Sequence, residues 1–84
     1  MPKSSKKKPL ADPELAILRK YTEGNEYFGV IREIAGARAY AELPFGGVCF
    51  APAEGLVADD VGRMAIVVVT EIDKRGKTIC GRIL

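Results

Sequence analysis

The chain has 84 residues and a net charge of +2, and 48% of its residues are hydrophobic. This length suits one small domain, because two separate cores would need more chain. No apolar stretch approaches the roughly 18 residues of a membrane span, and the lysine-rich start lacks the apolar segment of a signal peptide. We therefore expect a cytoplasmic protein that makes no membrane contact.

Basic charge is concentrated at the two ends of the chain. Residues 1–10 contain four lysines and no acidic residue, and residues 73–84 contain four basic residues and one acidic residue. The segment between them has twice as many acidic as basic residues. Attraction to a polyanion such as a nucleic acid must therefore use the two ends.

The first 24 residues predict a tail followed by a short helix. Residues 1–12 are polar, basic and interrupted by proline, which predicts a flexible tail. Residues 13–24 predict a short helix and a linker, with a helix from about Pro13 to Tyr21, because proline suits a first turn and apolar residues recur on one face. The tail lysines, which we expect to make nonspecific contacts with phosphate, are Lys3, Lys6, Lys7 and Lys8.

Residues 25–84 predict an all-β barrel. Short β-type runs are separated by glycine and proline, and one longer connection follows the third run. This spacing matches a five-stranded Greek-key barrel of the oligonucleotide-binding type, the OB-fold. A small sandwich or an SH3-like barrel has nearly the same strand count. The predicted strands are residues 26–34, 37–43, 47–51, 64–73 and 77–84.

The second predicted strand separates small residues from large ones. Alternate side chains of a strand point to opposite faces, so that Arg38, Tyr40 and Glu42 share the outer face. A tyrosine beside an arginine on a solvated face is either a stacking platform for a base or an ordinary amphipathic surface residue. The residues predicted to face the inside of a narrow barrel are Ala37, Ala39, Ala41 and Leu43.

The fourth predicted strand is apolar on both faces. If Ala65, Val67 and Val69 face the core, then Ile66 and Val68 face outward. An exposed apolar stripe is unusual for a monomer and indicates a cover. We expect the predicted helix to supply that cover, with another protein chain as the alternative.

The residues give little support to catalysis. The chain has no histidine, and its two cysteines, Cys49 and Cys80, lack the spacing of a metal site. We expect both thiols to be reduced and buried, with a disulfide between them as the minor alternative. No phosphate-binding loop or paired carboxylates appear, so we expect no cofactor, no metal and no enzymatic activity.

Three stretches within residues 26–84 resemble the S-one type RNA-binding domain, first seen as a repeat in a ribosomal protein. In GVCFAP, residues 47–52, Phe50 stands where the family has histidine. The final hairpin, GRMAIVVVTEIDKRGKTI at residues 62–79, is the most specific match. In GVIREIAGARAYAEL, the positions that keep the family pattern are Gly29, Ile31, Ile34, Ala39, Tyr40, Glu42 and Leu43.

The resemblance implies an OB-fold barrel that binds single-stranded RNA on one face. By position, the family's second phenylalanine falls on Tyr40, and its third-strand histidine falls on Phe50. The aspartate and the basic residue that flank the last turn of the family fall on Asp73 and Lys77. Aromatic rings stack on bases, and an ammonium group meets phosphate, so the residue types agree with these roles.

Two positions depart from the family pattern. Ala37 replaces the first phenylalanine, and Arg38 replaces a glycine. Because a guanidinium plane stacks on bases and attracts phosphate, we expect Arg38 to restore part of the missing platform. The alternative is that Arg38 marks a strand that has lost the family's function. The complete set of predicted RNA-binding residues is Arg38, Tyr40, Phe50, Asp73, Lys74, Arg75, Lys77 and Arg82.

Two functions follow from these patterns. The first is a single-stranded RNA-binding module in translation or RNA processing, with single-stranded DNA as a second ligand. The second is a protein-interaction module, an S-one-like barrel that docks on a larger ribonucleoprotein or protein complex through Ile66 and Val68. The basic ends and the aromatic residues favour RNA binding.

Overall fold

The structure is a computed structural model that describes residues 13–84 as one helix and five strands. Each strand lies within one residue of its predicted bounds. The predicted basic tail, residues 1–12, lies outside the described residues. Within the described part, no helix is long and apolar enough to cross a membrane. The elements are α1 (Pro13–Leu18), β1 (Glu26–Ala35), β2 (Arg38–Glu42), β3 (Val48–Pro52), β4 (Met64–Asp73) and β5 (Thr78–Ile83).

The five strands form a closed barrel in the order β1-β2-β3-β5-β4. Every neighbouring pair is antiparallel except β3 and β5, which run parallel. Short 3₁₀ turns interrupt the connections on either side of β3, at Pro44–Gly46 and Ala58–Asp60. This arrangement confirms the predicted five-stranded Greek-key OB-fold barrel over a sandwich or an SH3-like barrel.

Small and β-branched side chains fill the barrel. Ala39 and Ala41 of β2 and Val67 and Val69 of β4 are completely buried, as the alternation of both strands predicted. The prediction for Ala37 was wrong. It lies exposed in the turn between β1 and β2, because β2 begins one residue later than expected.

Glycine permits the closest approach between strands inside the barrel. Gly81 of β5 is buried, and a Cβ atom there would overlap the carbonyl oxygen of Val68 and lie 2.9 Å from the sulfur of Cys49. A side chain at Gly29 of β1 would lie 3.1 Å from the carbonyl oxygen of Glu42. The narrow barrel therefore depends on residues without side chains at these crossings.

The helix α1 closes one end of the barrel. Leu18 at its end and Tyr21 just beyond it belong to the same buried cluster as Leu43, Val69 and Ile79. The helix is shorter than predicted. The backbone N–H groups of Lys20 and Tyr21 donate hydrogen bonds to the carbonyl oxygens three positions earlier, and these bonds tighten the chain into a turn. This turn directs the ring of Tyr21 into the core.

The helix does not cover the outer face of β4, contrary to expectation. Ile66 keeps 37% of its surface exposed, and the groove beside it is lined by Phe28 and Phe45 and by no residue of α1. The apolar side chains of α1 pack on the end of the barrel instead, against residues such as Ile79. Within the described chain, the outer face of β4 is therefore uncovered at Met64 and Ile66, whereas Val68 is half-buried.

Tyr21 joins the helix to the loop before β3. Its hydroxyl group donates a hydrogen bond to the carbonyl oxygen of Pro44 and accepts one from the backbone N–H of Gly47 at 2.8 Å. Residue 47 must be glycine, because a Cβ atom would lie 2.5 Å from the hydroxyl oxygen of Tyr21. Burial raises the pKa of Tyr21, and the hydrogen bond from Gly47 offsets part of that rise.

Replacing Tyr21 with phenylalanine should lower the free energy of unfolding by about 1–3 kcal/mol, because the buried N–H of Gly47 loses its acceptor. Urea denaturation monitored by circular dichroism measures the change. Tyr27→Phe is the matched control. The Tyr27 ring contacts that of Tyr21, but its hydroxyl accepts only an exposed hydrogen bond, from Thr22. Equal losses in both variants would contradict a special role for Tyr21.

Candidate nucleic-acid interface

Tyr40 and Phe50 form an aromatic pair on the outside of the barrel. The two residues lie directly opposite each other on β2 and β3, and their ring centroids are 5.0 Å apart with the planes tilted by 53°. Each side chain is half-buried, since each ring covers part of the other. Tyr40 thus faces outward as predicted, as one half of a two-ring surface.

The aromatic pair is the centre of a row that crosses the barrel. Glu33 of β1 lies opposite Tyr40, Cys80 of β5 lies opposite Phe50, and Glu71 of β4 lies opposite Cys80. Both glutamates follow a register shift in their strands and are exposed. Across the strands, a carboxylate thus lies directly beside Tyr40 on one side, and on the other side Cys80 separates Phe50 from the second carboxylate.

Arginine side chains lie at one end of this surface, measured along the strands. A groove beside Phe50 is lined by Arg38 at the start of β2, together with Pro52 and Cys80. Arg82 is exposed and follows Cys80 by two residues on β5. Because β3 and β5 are parallel, Arg82 lies beyond the Phe50–Cys80 pair in the direction of the Pro52 end of β3, although it lines neither groove at Phe50. The fold thus brings Arg38 and Arg82 to the same end of the aromatic pair.

Lys77 lies at the other end. A second groove beside Phe50 is lined by Val48, Lys77 and Thr78, and α1 forms its far wall with Glu14 and other residues. The ammonium group of Lys77 lies 3.3 Å from a carboxylate oxygen of Glu14, so that its charge is partly offset. Phe50 is therefore the residue common to both grooves.

The remaining predicted residues lie at the tip of the β4–β5 hairpin. One carboxylate oxygen of Asp73 accepts hydrogen bonds from the backbone N–H groups of Arg75 and Gly76, at 3.0 and 3.1 Å. Asp73 thus holds the turn together. Lys74 lines a cavity beside Tyr21 on the far side of the helix. Within residues 13–84, neither groove at Phe50 includes Lys74 or Arg75.

The two cysteines are free thiols in different surroundings. Cys49 is buried beneath the aromatic pair, and burial, with a smaller effect of Cys80, raises the pKa of its thiol to about 12. Cys80 is only half-buried and faces the groove beside Phe50, so the expectation of two fully buried thiols was wrong for Cys80. No group of three potential metal ligands occurs among residues 13–84.

Two residues that contribute to this surface were not predicted from the sequence. Cys80 comes to Phe50 through the parallel pairing of β3 and β5, two strands that are not consecutive in the chain. Glu14 comes to Lys77 from 63 residues away. Neither contact leaves a local pattern in the sequence, because the topology of the closed barrel creates both. The four tail lysines lie outside the described residues.

No known protein family matches the chain, and no curated protein sequence matches it either. Solved structures do match in fold. One is a chain of the a/eIF2alpha-aDim2p-rRNA complex from Pyrococcus horikoshii OT3, with 20% identity and a TM-score of 0.59 over 73% of this chain and 43% of that one. Another is a multidomain protein with nucleic acid binding domains from Streptococcus pneumoniae, with 11% identity and a TM-score of 0.61.

A third similar structure is an uncharacterised protein of Methanocaldococcus jannaschii, with 17% identity and a TM-score of 0.63 over 76% of this chain and 93% of that one. The Streptococcus match covers 74% of this chain and 22% of that one. The chain thus spans less than half the length of the first two structures. At these identities the likeness shows the barrel fold alone. The first two structures are described as a complex with rRNA and as a protein with nucleic acid binding domains.

Replacing Asp73 with alanine should lower the free energy of unfolding by about 1–2 kcal/mol, because two turn N–H groups lose their acceptor. Thermal and urea unfolding of the variant measure the change. Asp73→Asn is the control, since the amide oxygen still accepts these bonds, and it should lose clearly less. An Asp73→Ala variant as stable as the parent would contradict a turn-holding role.

Proposed function

We propose that the chain is a single-stranded RNA-binding module of the S-one type, with Tyr40 and Phe50 as its base-stacking surface. The observation that carries the proposal is a half-exposed ring pair in which Phe50 lines two grooves, with Arg38 in one groove and Lys77 in the other. Base–aromatic stacking with flanking positive charge is the usual basis of single-strand binding.

The charges around the rings favour one path for the strand. Glu33 and Glu71 repel phosphate on the two sides of the row, whereas Arg38 and Arg82 attract it at one end and Lys77 attracts it at the other. A strand that runs along β3 therefore meets cations before and after its bases meet the rings. Phosphate contacts position such a strand, and the rings hold the bases.

RNA is preferred over DNA as the ligand for two reasons. Residues 26–84 resemble the S-one domain, and one similar structure belongs to a complex that contains rRNA. At the family's first aromatic position, Ala37 has no ring on which a base could stack, and it lies in an exposed turn. The site therefore holds few bases, and the tail lysines add nonspecific affinity.

The proposal includes a role without catalysis, in translation or RNA processing in the cytoplasm. The resemblance implied Asp73, and the predicted set added Lys74 and Arg75. All three lie at the tip of the β4–β5 hairpin, where Asp73 holds the turn and Lys74 lines a cavity beside Tyr21. We therefore assign the RNA contacts to Arg38, Tyr40, Phe50 and Arg82, with a smaller contribution from Lys77 because Glu14 offsets its charge.

Removing either ring should weaken RNA binding. Tyr40→Ala and Phe50→Ala should each cost about 1–3 kcal/mol of binding free energy, the range for one stacked base. Fluorescence anisotropy with a labelled oligonucleotide of about six nucleotides, short enough for one barrel, measures this change. Phe50→Ala should have the larger effect, because Phe50 lines both grooves.

Phe28→Ala is the matched control for the ring variants. Phe28 is 65% exposed, and it lies on β1, away from both grooves. Its removal should leave the affinity for the short oligonucleotide unchanged. If folded Tyr40→Ala and Phe50→Ala variants bind as tightly as the parent, the ring pair is not the RNA site.

The arginines should determine part of the salt dependence of binding. For single strands, each lost phosphate contact reduces the slope of log affinity against log salt by about 0.7. Arg38→Gln and Arg82→Gln should each reduce the slope by about this amount, measured in a potassium chloride series. Arg75→Gln, which removes the same charge from the hairpin tip, should leave the slope nearly unchanged. An equal change in all three variants would favour a diffuse charge effect over local contacts.

A further inference from the structure

Large apolar side chains are exposed on the outer face shared by β1 and β4. Phe28 lies directly opposite Ile66, and Val30 lies opposite Met64. Phe28 and Met64 are 65% and 63% exposed. Leu84 is also exposed and lines the same groove as Met64. We call this surface, made of Phe28, Phe45, Met64, Ile66 and Leu84, the β1–β4 face.

Phe45 extends the β1–β4 face at one end, at a conformational cost. Its backbone has a φ of 73°, in the left-handed region that bulky residues rarely adopt, and its side chain is 64% exposed. The ring lines a groove with Phe28 and Ile66, and the ammonium group of Lys20 lies 5.9 Å from its centroid. The centroid of the Phe45 ring also lies 6.3 Å from that of Tyr21, yet most of its surface is exposed. A strained backbone that keeps an aromatic ring largely exposed points to a binding role for that ring.

We propose that the β1–β4 face is the contact surface between two copies of this chain. A fully exposed aromatic or long aliphatic side chain has about 200 Å² of surface. The exposed fractions of the five side chains of this face therefore amount to on the order of 500 Å² of apolar surface. A standard interface buries about 800 Å² on each partner, an area that this face reaches once a polar rim is added. Because the closed barrel has no free strand edge, the contact must use side chains.

The charges at the two ends of the face favour a second copy over a different protein. Glu26 lies at one end of the β1–β4 ladder, where it pairs with Val68. Arg63 lies just beyond the other end, next to Met64, where its guanidinium is 3.0 Å from a carboxylate oxygen of Asp60 and its side chain is still 48% exposed. A two-fold axis that lies in the plane of the contact and runs perpendicular to β1 and β4 reverses the strand direction of the second copy, so that Glu26 of each copy meets Arg63 of the other. One surface thereby complements itself.

The position of the β1–β4 face leaves the proposed RNA-binding surface around Tyr40 and Phe50 open. In the closed order of five strands, the β1–β4 seam lies on the opposite side of the barrel from β3, which contains Phe50. Two copies joined at the seam therefore present their aromatic pairs in opposite directions. The dimer is tested without nucleic acid, so its failure and that of the RNA proposal are distinguishable.

Sedimentation equilibrium of the full chain over a concentration series tests the proposal. The weight-average mass should rise from the monomer value of 9.1 kDa toward twice that value. Phe28→Glu and Met64→Glu should each weaken dimerisation about 30-fold or more, the effect of a residue at an interface centre. Val57→Glu is the matched control. Val57 is 62% exposed but lies outside the face, so its substitution should leave the equilibrium unchanged.

Charge reversal tests the two-fold arrangement. Glu26→Arg and Arg63→Glu should each weaken dimerisation, and the double variant should recover most of the loss, because opposite charges meet again. Circular dichroism confirms that each variant is folded. A monomeric mass up to about 1 mM, far above the range of specific association, would overturn the proposal and leave the face to a different protein. A dimer insensitive to Phe28→Glu, or a double variant no better than the single ones, would also overturn it.

Discussion

The parallel pairing of β3 with β5 is the interaction on which both the barrel and its outer surface depend. Without it, β3 and β5 would be open edges of a five-stranded sheet, and the core side chains of both strands would be exposed. The same pairing brings Cys80 to Phe50. Closure of the barrel and assembly of the candidate site are therefore one event, and neither survives the loss of β5.

A narrow interior explains why the aromatic residues lie outside. Alanine and glycine face the centre where strands cross most closely, and a side chain at Gly81 would overlap the neighbouring backbone. Rings do not fit there. Tyr21 is buried only because it enters from the open end of the barrel, and Tyr40, Phe50 and Phe28 remain on the outer surface. These rings are consequently available for contacts with other molecules.

Local patterns in the sequence predict the strands and their inner faces well. The alternation in β2 and β4 correctly identifies Ala39, Ala41, Val67 and Val69 as buried. It fails at Ala37, because the exact residue at which a strand leaves its turn is set by pairing with a neighbour.

The candidate site could be predicted only in part. Tyr40 and Phe50 were placed on one surface by the family resemblance, and the structure brings their rings into contact. The separation of Lys74 and Arg75 from that surface, and the packing of α1 on the barrel end, depend on contacts between distant segments. Periodicity and composition do not encode such contacts.

Closure through β5 also affects how a newly synthesised chain folds. The last residue of β3 is synthesised about 30 residues before that of β5, a delay of a few seconds at ordinary rates of synthesis. During that time the unpaired edges of β3 and β4 are exposed to other chains, and α1 has no finished barrel end to pack on. A chain that loses β5 remains in this aggregation-prone state, so the last strand determines the solubility of the whole domain.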